Sequence, residues 1–554
     1  MTVTVLLLAP LAAAAAYAVV RLFFPLPDTR GIPTIPFWVA LLPLVKDVDQ
    51  QDIFARYIDG PLRKHGAVKL FFASRWNILL HQPSLLADVF RHESVYQKSG
   101  NQNKIPHSVL ASLLGDNIIS SRGQPWHTYR HVIKPGLQAA PDLGVLLVNA
   151  RKLCRVLVEA QAAAGHGGVG VQSCIQRYTI ANFAQVHFGV DFGTLESSDA
   201  YLHQIQYRIK REIFKPVFLN FPFLDRLGLP SRRRARWLAS HFTDQLVLAL
   251  DQASQDSKFD SSRQPLTTAL LEARRSGTLT EKQFRDNVTV LFVAGQENPQ
   301  LAIISTLYLL AKHPHIQEQL HKELSLEDSP LDDVTQESLH SIPLLSAVVY
   351  ESLRLFPPIG QLVNRQVAQP ILLGGRIHLP QGTYVGYNCY STNRDPGAWG
   401  ADADAFRPSR WGTTCQDIQK EYRRRRSRAE FISFHGGQRA CLGERFALLQ
   451  LKATLLGRFV REICVSFSSN GCHGQDKAEC ATHMEGMEST RMAKFSFHLT
   501  PDYSARNLCN GQMRAPQTGP RMQLITAWLE FSCDDDDDDD EACQDMLSFC
   551  PTSS

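Results

Sequence analysis

Ten residues near the C-terminal end, Phe434-His-Gly-Gly-Gln-Arg-Ala-Cys-Leu-Gly443, constrain this chain more than any other stretch. They follow the spacing FxxGxRxCxG and set one cysteine, Cys441, between a glycine-rich turn and the start of a predicted helix. Gly437 and Gly443 let the backbone turn tightly and approach a flat ligand. Backbone N–H groups at the helix start stabilise sulfur as an anion. Arg439 can pair with a carboxylate on the bound group. Cys441 is therefore the candidate metal ligand, and Phe434, Gly437, Arg439 and Gly443 are candidate cofactor-binding residues. A structural cysteine in a Gly-rich turn is the plainer alternative, and a motif counts only in its proper setting.

Three further features supply that setting. Glu351-Ser-Leu-Arg354 lies in VVYESLRLFPP, a predicted helix ending at Pro357-Pro358. Three-residue spacing puts both charges on one face, where they can pair. Phe406-Arg-Pro-Ser-Arg410-Trp adds an arginine in a Pro-punctuated loop, and Trp126-His-Thr-Tyr-Arg130 sets tryptophan and arginine four apart on one helical face. In this order the features resemble the haem-thiolate monooxygenases, the cytochrome P450 family, from about Asp47 to about Val465. The resemblance implies a mainly α fold with a small β region (α+β) behind an N-terminal transmembrane anchor. It implies haem b (iron protoporphyrin IX) ligated by Cys441, whose thiolate favours O–O cleavage. It also implies a buried Glu351–Arg354–Arg410 triad and haem propionates held by Trp126, Arg130 and Arg439, with Arg365 a further candidate. O2 and NADPH–cytochrome P450 reductase are the implied reaction partners.

The distal helix departs from the family pattern A-G-x-[D/E]-T. Here it reads Ala294-Gly295-Gln296-Glu297-Asn298-Pro299. Ala294 and Gly295 leave room for dioxygen, and Glu297 and Asn298 are the candidate catalytic residues, with Asn298 at the threonine position. Pro299 removes a backbone hydrogen bond and is expected to kink the helix, opening a groove for a water.

The strings IPTIPFWVALLPLVKDVDQ, KLFFASRWN, YQKSGNQNKIPHSVL, AGQENPQ, YNCYSTNRDP and FISFHGGQRACLGERFAL resemble the fungal dityrosine-forming branch, the N-formyltyrosine oxidases of sporulation. That branch joins two N-formylated tyrosines through their rings, making a spore-wall precursor. Polar residues expected near the pocket (Asn103, His107, Gln296, Asn298, Gln361 and Asn364) suit such an aromatic substrate better than an alkane. The competing functions are hydroxylation of a lipid, secondary metabolite or xenobiotic, and a catalytically impaired haem protein.

Four regions are expected. Residues 1–24 form a transmembrane signal anchor: Val3 to Val20 are 18 uncharged residues, about 27 Å as helix and close to a bilayer core. Arg21, Arg30 and Lys46 follow, placing the body in the cytosol. This reads as a single-pass protein of the endoplasmic reticulum membrane rather than a cleaved signal peptide, because no basic n-region precedes the apolar run. Residues 25–46 are a proline-rich linker, 47–465 the haem-thiolate domain and 466–554 an atypical acidic tail, either disordered or the product of a retained intron or shifted frame. Residues 534–554 carry nine carboxylates and no Lys or Arg, so a total charge of +4 leaves +13 on residues 1–533. A basic body suits an acidic electron donor or a membrane surface, with no call for nucleic acid. Arg423 to Arg426 and Arg428 are a candidate docking patch. Five cysteines precede Cys464 without paired spacing, which fits a reducing compartment. Asn287-Val-Thr is a glycosylation sequon by pattern alone, on the predicted distal helix.

Overall fold

The computed structural model describes Tyr17, residues 31–45, 50–164, 169–256, 260–325 and 334–456, and the backbone of 463–467 and 493–497. The expected anchor, apart from Tyr17, and most of the acidic tail lie outside these residues. Among the described residues no helix is long and apolar enough to cross a membrane.

A central helix, Glu281–Lys312, organises the molecule. Its start is fixed by a reciprocal cap: the Gln283 amide donates to Thr280 Oγ1 at 3.3 Å, and the Thr280 amide donates to Gln283 Oε1 at 2.9 Å. The helix runs on through Pro299, which costs the carbonyl of Gly295 its i+4 donor. Helices Val171–Phe183, Pro230–Gln255, Pro343–Leu355 and Glu444–Thr454 lie against it. Their apolar faces merge in one core with Phe183, Phe188, Phe242, Phe292 and Phe446 at its centre. Each such ring contributes roughly 1.5–3 kcal/mol by leaving water.

Polar side chains dock the same helix onto the segment ahead of helix Gly123–Gln138. Asp286 Oδ2 accepts the Asp116 amide at 2.9 Å, and Asn287 Oδ1 accepts the Ile118 amide at 2.9 Å. Asn287 is 0% exposed and its Nδ2 donates to the Gln283 carbonyl, so the sequon is sealed inside the fold.

The β region is one five-stranded sheet of order β1-β2-β7-β4-β3: Ala67–Phe72, Arg75–Leu80, Tyr384–Asn388, Gln361–Val367 and Tyr96–Lys98. β1 and β2 join through Ala73 and Ser74, both with positive φ, as a two-residue primed turn requires. The Asn220 carbonyl holds this turn by accepting the Ser74 amide at 2.8 Å. β2 and β7 run parallel, and β3 pairs antiparallel with β4 so that Lys98 faces Arg365. A small hairpin, β5 (Ile371–Leu373) with β6 (Ile377–Leu379), stands apart. A parallel pair, β8 (Ile463–Phe467) with β9 (Ala493–Phe497), reaches into the stretch expected to be disordered.

Candidate functional site

The loop from Phe434 to Gly443 forms the floor of a cavity of about 240 Å³, and the central helix crosses its other side. Gly437 turns the loop at φ +66°, where a side chain would strike the Phe90 carbonyl at 2.3 Å. The Cys441 amide donates to the Phe434 carbonyl at 3.0 Å, closing the loop beneath the cavity. Cys441 opens onto the cavity and on to a second recess beyond it. Burial pushes its thiol up to about 11, while the backbone N–H groups of Gly443 and Glu444 pull it down. A bound cation would settle that balance, because a coordinating thiol is deprotonated outright.

Trp126, Arg130, Ala294, Gly295, Asn298, Phe434, Arg439, Cys441 and Gly443 all line this cavity. Residues expected to share one ligand are thus brought together from two helices and a loop. Arg439 lies over the Trp126 ring at 4.5 Å, with Arg130 at 5.5 Å. Arg439 Nη2 donates to the carbonyls of Ile118 and Ile119 at 3.0 and 3.1 Å. Three expected residues stand elsewhere. Gly437 shapes the loop from behind. Arg365 lies off the cavity wall: its Nη1 donates to the Tyr96 carbonyl at 3.0 Å and its Nη2 pairs with Glu93 at 3.3 Å. Glu297 is turned away toward helix Tyr201–Ile213, where Lys210 pairs with it at 2.5 Å and Gln206 donates at 2.6 Å.

Two cavity-lining residues have no motif to announce them. Lys98 arrives at the end of β3, where burial and the charges of Arg365 and Arg439 hold its pKa well below the ordinary lysine value. His435, at φ +61°, is buried beside Lys98 and Arg365, which drives its pKa down to about 3 and keeps it neutral. Its Nδ1 meets the Tyr387 hydroxyl at 3.1 Å. With that phenol as donor, the imidazole hydrogen sits on Nε2.

The donor set fits a flat, anionic metallocofactor. Lys98, Arg130 and Arg439 supply three cationic groups, and no carboxylate lines the same cavity. Burial lowers the Arg439 pKa to about 10, a cost that an anion placed beside it would offset. Among the described residues no cluster of His, Cys, Asp or Glu could hold a bare metal ion. A group that brings its own metal ligands, as a porphyrin does, fits a wall whose one thiol among the described residues is Cys441.

Behind this floor the ion triad forms. Glu351 pairs with Arg354 at 2.8 Å and with Arg410 at 2.7 Å, and accepts Trp411 Nε1 at 3.0 Å and the Arg407 amide at 3.0 Å. Arg354 spends its remaining donors on the carbonyls of Asn393, Ala403 and Ala405. The triad thus pins the 393–411 segment to helix Pro343–Leu355.

On the distal side, Asn298 lines the cavity and its Nδ2 donates to the Ala294 carbonyl at 3.3 Å. The other expected polar residues miss the wall. Gln361 accepts from Asn388, Gln296 donates to Glu297, Asn364 is buried, and Asn103 and His107 are exposed. Ile118, Ile119, Val290, Leu291, Ile359 and Leu362 make the wall mostly apolar instead. The Arg423–Arg428 run lies on and just after helix Cys415–Ser427, but its charge is largely spent: Arg424 and Arg425 pair with Glu421, Arg425 also with Glu430, and Arg426 with Glu444.

A family model described as Cytochrome P450 matches residues 31–475. Cytochrome P450-DIT2 of Saccharomyces cerevisiae is 40% identical over 433 residues, covering 78% of this chain and 87% of that protein. Cytochrome P450 monooxygenase xanG of Aspergillus fumigatus is 38% identical over 437 residues, covering 77% and 81%. Among solved structures, the cytochrome P450DA haem domain aligns with a TM-score of 0.61 at 20% identity, covering 79% of this chain and 91% of that one, a likeness of fold.

Proposed function

The chain belongs to the cytochrome P450 family of haem-thiolate monooxygenases, which use O2 and a redox partner, and on that premise we propose that it couples N-formyltyrosine-type phenols oxidatively to a dityrosine precursor. A thiolate-ligated haem, here haem b, supplies the oxidising power drawn from O2 and two electrons. NADPH provides those electrons through NADPH–cytochrome P450 reductase. Cys441 would supply the thiolate to the iron, Trp126, Arg130, Arg439 and Lys98 would hold the anionic side groups of the haem, and Ala294 and Gly295 would leave room for dioxygen. Arg365 and Glu93 support this cationic end from behind. Glu297, paired with Lys210 outside the cavity, fixes the central helix against helix Tyr201–Ile213 rather than touching substrate.

The observation that carries the phenol reading is Asn298. A threonine hydroxyl back-bonded to the Ala294 carbonyl would retain only hydroxyl lone pairs as acceptors. Asn298 makes that bond with nitrogen and retains a carbonyl oxygen, the stronger acceptor, on a residue that lines the cavity. A phenol O–H is the donor such an acceptor selects, and it is the hydrogen that coupling removes. The strings shared with the dityrosine-forming branch and the likeness to P450-DIT2 support the same substrate class. The apolar wall favours a second reading, hydroxylation of an apolar substrate.

Product mass separates the two. Reconstituted with the reductase, NADPH and N-formyltyrosine, the enzyme is expected to give a dimer two hydrogens lighter than two substrates. A product one oxygen heavier than its substrate would establish hydroxylation instead. Asn298→Thr should lower coupled product per NADPH by roughly tenfold, the weight of one hydrogen bond of about 1.4 kcal/mol. An unchanged ratio would remove Asn298 from the mechanism.

Residues 1–24 anchor the protein in the endoplasmic reticulum membrane with the body in the cytosol, a placement supported by the uncharged run Val3–Val20 and the arginine that ends it.

A further inference from the structure

One end of the five-stranded sheet gathers two cations that no carboxylate answers. Strand register sets the place: Phe72 pairs with Arg75 across the β1–β2 hairpin, Leu70 with Asn77, and Asn77 in turn with Tyr384 of β7. Residues paired across strands share a face, so Phe72, Arg75, Asn77 and Tyr384 stand side by side. Lys104, at the end of helix Asn101–Lys104, joins them. Its Nζ lies 5.0 Å from the Phe72 ring and 5.7 Å from the Tyr384 ring, and the Arg75 guanidinium lies 4.7 Å from Tyr384.

Among the described residues neither cation pairs with a carboxylate. Arg75 Nη2 donates to the Lys104 carbonyl, and Lys104 Nζ donates to the Val363 carbonyl at 3.2 Å. Arg75 Nε is buried without a hydrogen-bond partner, and so is Oδ1 of Asn77, a residue 1% exposed. Lys104 is 3% exposed, and burial together with the Arg75 charge lowers its pKa to about 7. Like charges held together at that depth are costly, and an anion beside them would favour their charged forms.

This spot adjoins the reaction cavity. Val363, whose carbonyl holds Lys104, follows the wall residue Leu362; Ser99, whose hydroxyl meets the Tyr384 hydroxyl at 3.1 Å, follows the wall residue Lys98. The wall cations Lys98, Arg130 and Arg439 are assigned to the anionic groups of the haem, so a substrate carboxylate needs its own counter-charge. We propose, on the phenol-coupling reading above, that Arg75 and Lys104 clamp the carboxylate of an N-acylated aromatic amino acid whose ring lies in the cavity, while Asn77 Oδ1 accepts the adjacent amide N–H. Arg75 is partly exposed and offers a planar fork to the carboxylate. Lys104 adds a point charge from within the fold. Asn77 spends its Nδ2 on the carbonyls of Phe72 and Arg75 at 2.9 and 2.8 Å, which leaves its oxygen to accept. Such a site separates an acylated amino acid from the matching amine, which has the same phenol and amide but no acid.

The test is titration of the ferric holoenzyme with N-formyltyrosine and with N-formyltyramine, read from the haem absorption. Wild type should prefer the acid by roughly 10- to 100-fold, the usual weight of a hydrogen bond to a charged group. Arg75→Gln and Lys104→Met should each erase most of that preference, and Arg75→Lys should restore part of it. Haem content and the reduced carbon monoxide spectrum report folding for each variant. No preference for the acid in wild type, or a preference that survives both substitutions, would overturn the clamp. If wild type binds neither phenol, the coupling reading fails on its own account, and N-formylglycine decides the clamp. It should raise the thermal midpoint of wild type and not that of Arg75→Gln; an equal rise in both, or none in wild type, counts against the site. Inorganic phosphate giving the same rise as N-formylglycine would reveal an unselective anion site and likewise overturn carboxylate recognition.

Discussion

Cys441→Ala removes the long-wavelength Soret band of the reduced carbon monoxide complex and all monooxygenase turnover. The expectation rests on geometry as well as on the motif. Among the described residues Cys441 is the one cysteine on the cavity wall; Cys154, Cys174 and Cys389 are buried elsewhere, and Cys415 borders only the second recess. Beside Cys441 the cavity wall offers the His435 imidazole, whose Nδ1 is held by Tyr387, and otherwise amides, cations and hydroxyls, none of which supplies a thiolate. Cys441→Ser tests the same point with less disturbance. It preserves the loop hydrogen bond from residue 441 to the Phe434 carbonyl, yet substitutes an oxygen that lacks the electron push of sulfur. Turnover surviving in the alanine variant would require another ligand and another site.

Glu351→Gln gives the second large effect, on stability rather than chemistry. The substitution keeps shape and leaves two guanidiniums, Arg354 and Arg410, facing a neutral amide at positions 0% and 5% exposed. Breaking a buried pair by removing one partner typically costs about 3–5 kcal/mol, a large part of a domain's stability of about 5–15 kcal/mol. The midpoint of urea unfolding should fall accordingly, together with haem retention, because the 393–411 segment is held by the same arginines. Glu421→Gln is the contrast. That residue also bridges two arginines, but on a partly exposed helix, and should cost less than about 1 kcal/mol. Equal losses in the two variants would contradict the burial argument.

Local motifs were legible because their residues need no distant partner to be recognised. Trp126 and Arg130 are one helical turn apart, Glu351 and Arg354 likewise, and the Cys441 loop is continuous in sequence. Residues whose position depends on strand pairing were not legible. Lys98 reaches the cavity through its register with β4, and a register shift between Val363 and Arg365 turns Arg365 onto the Tyr96 carbonyl and Glu93. Glu297 illustrates a different limit. Neighbours on a helix point about 100° apart, and here the cavity takes Asn298 while Glu297 is drawn to Lys210 and Gln206 on helix Tyr201–Ile213. Glu421 and Glu430 flank the arginine run in sequence without announcing which arginines they hold, and Glu444 reaches Arg426 only through the fold.

The sealed amide of Asn287 sets a condition on where this protein can be made. Oligosaccharide is transferred to Asn-x-Thr while a chain is still unfolded on the luminal side of the membrane. A sugar added there could not be accommodated, because both ends of the Asn287 amide are engaged inside the fold and the Ile118 amide depends on one of them. A copy threaded into the lumen would thus be barred from its native state by its own sequon. The interior of this protein carries a built-in veto on misdelivery.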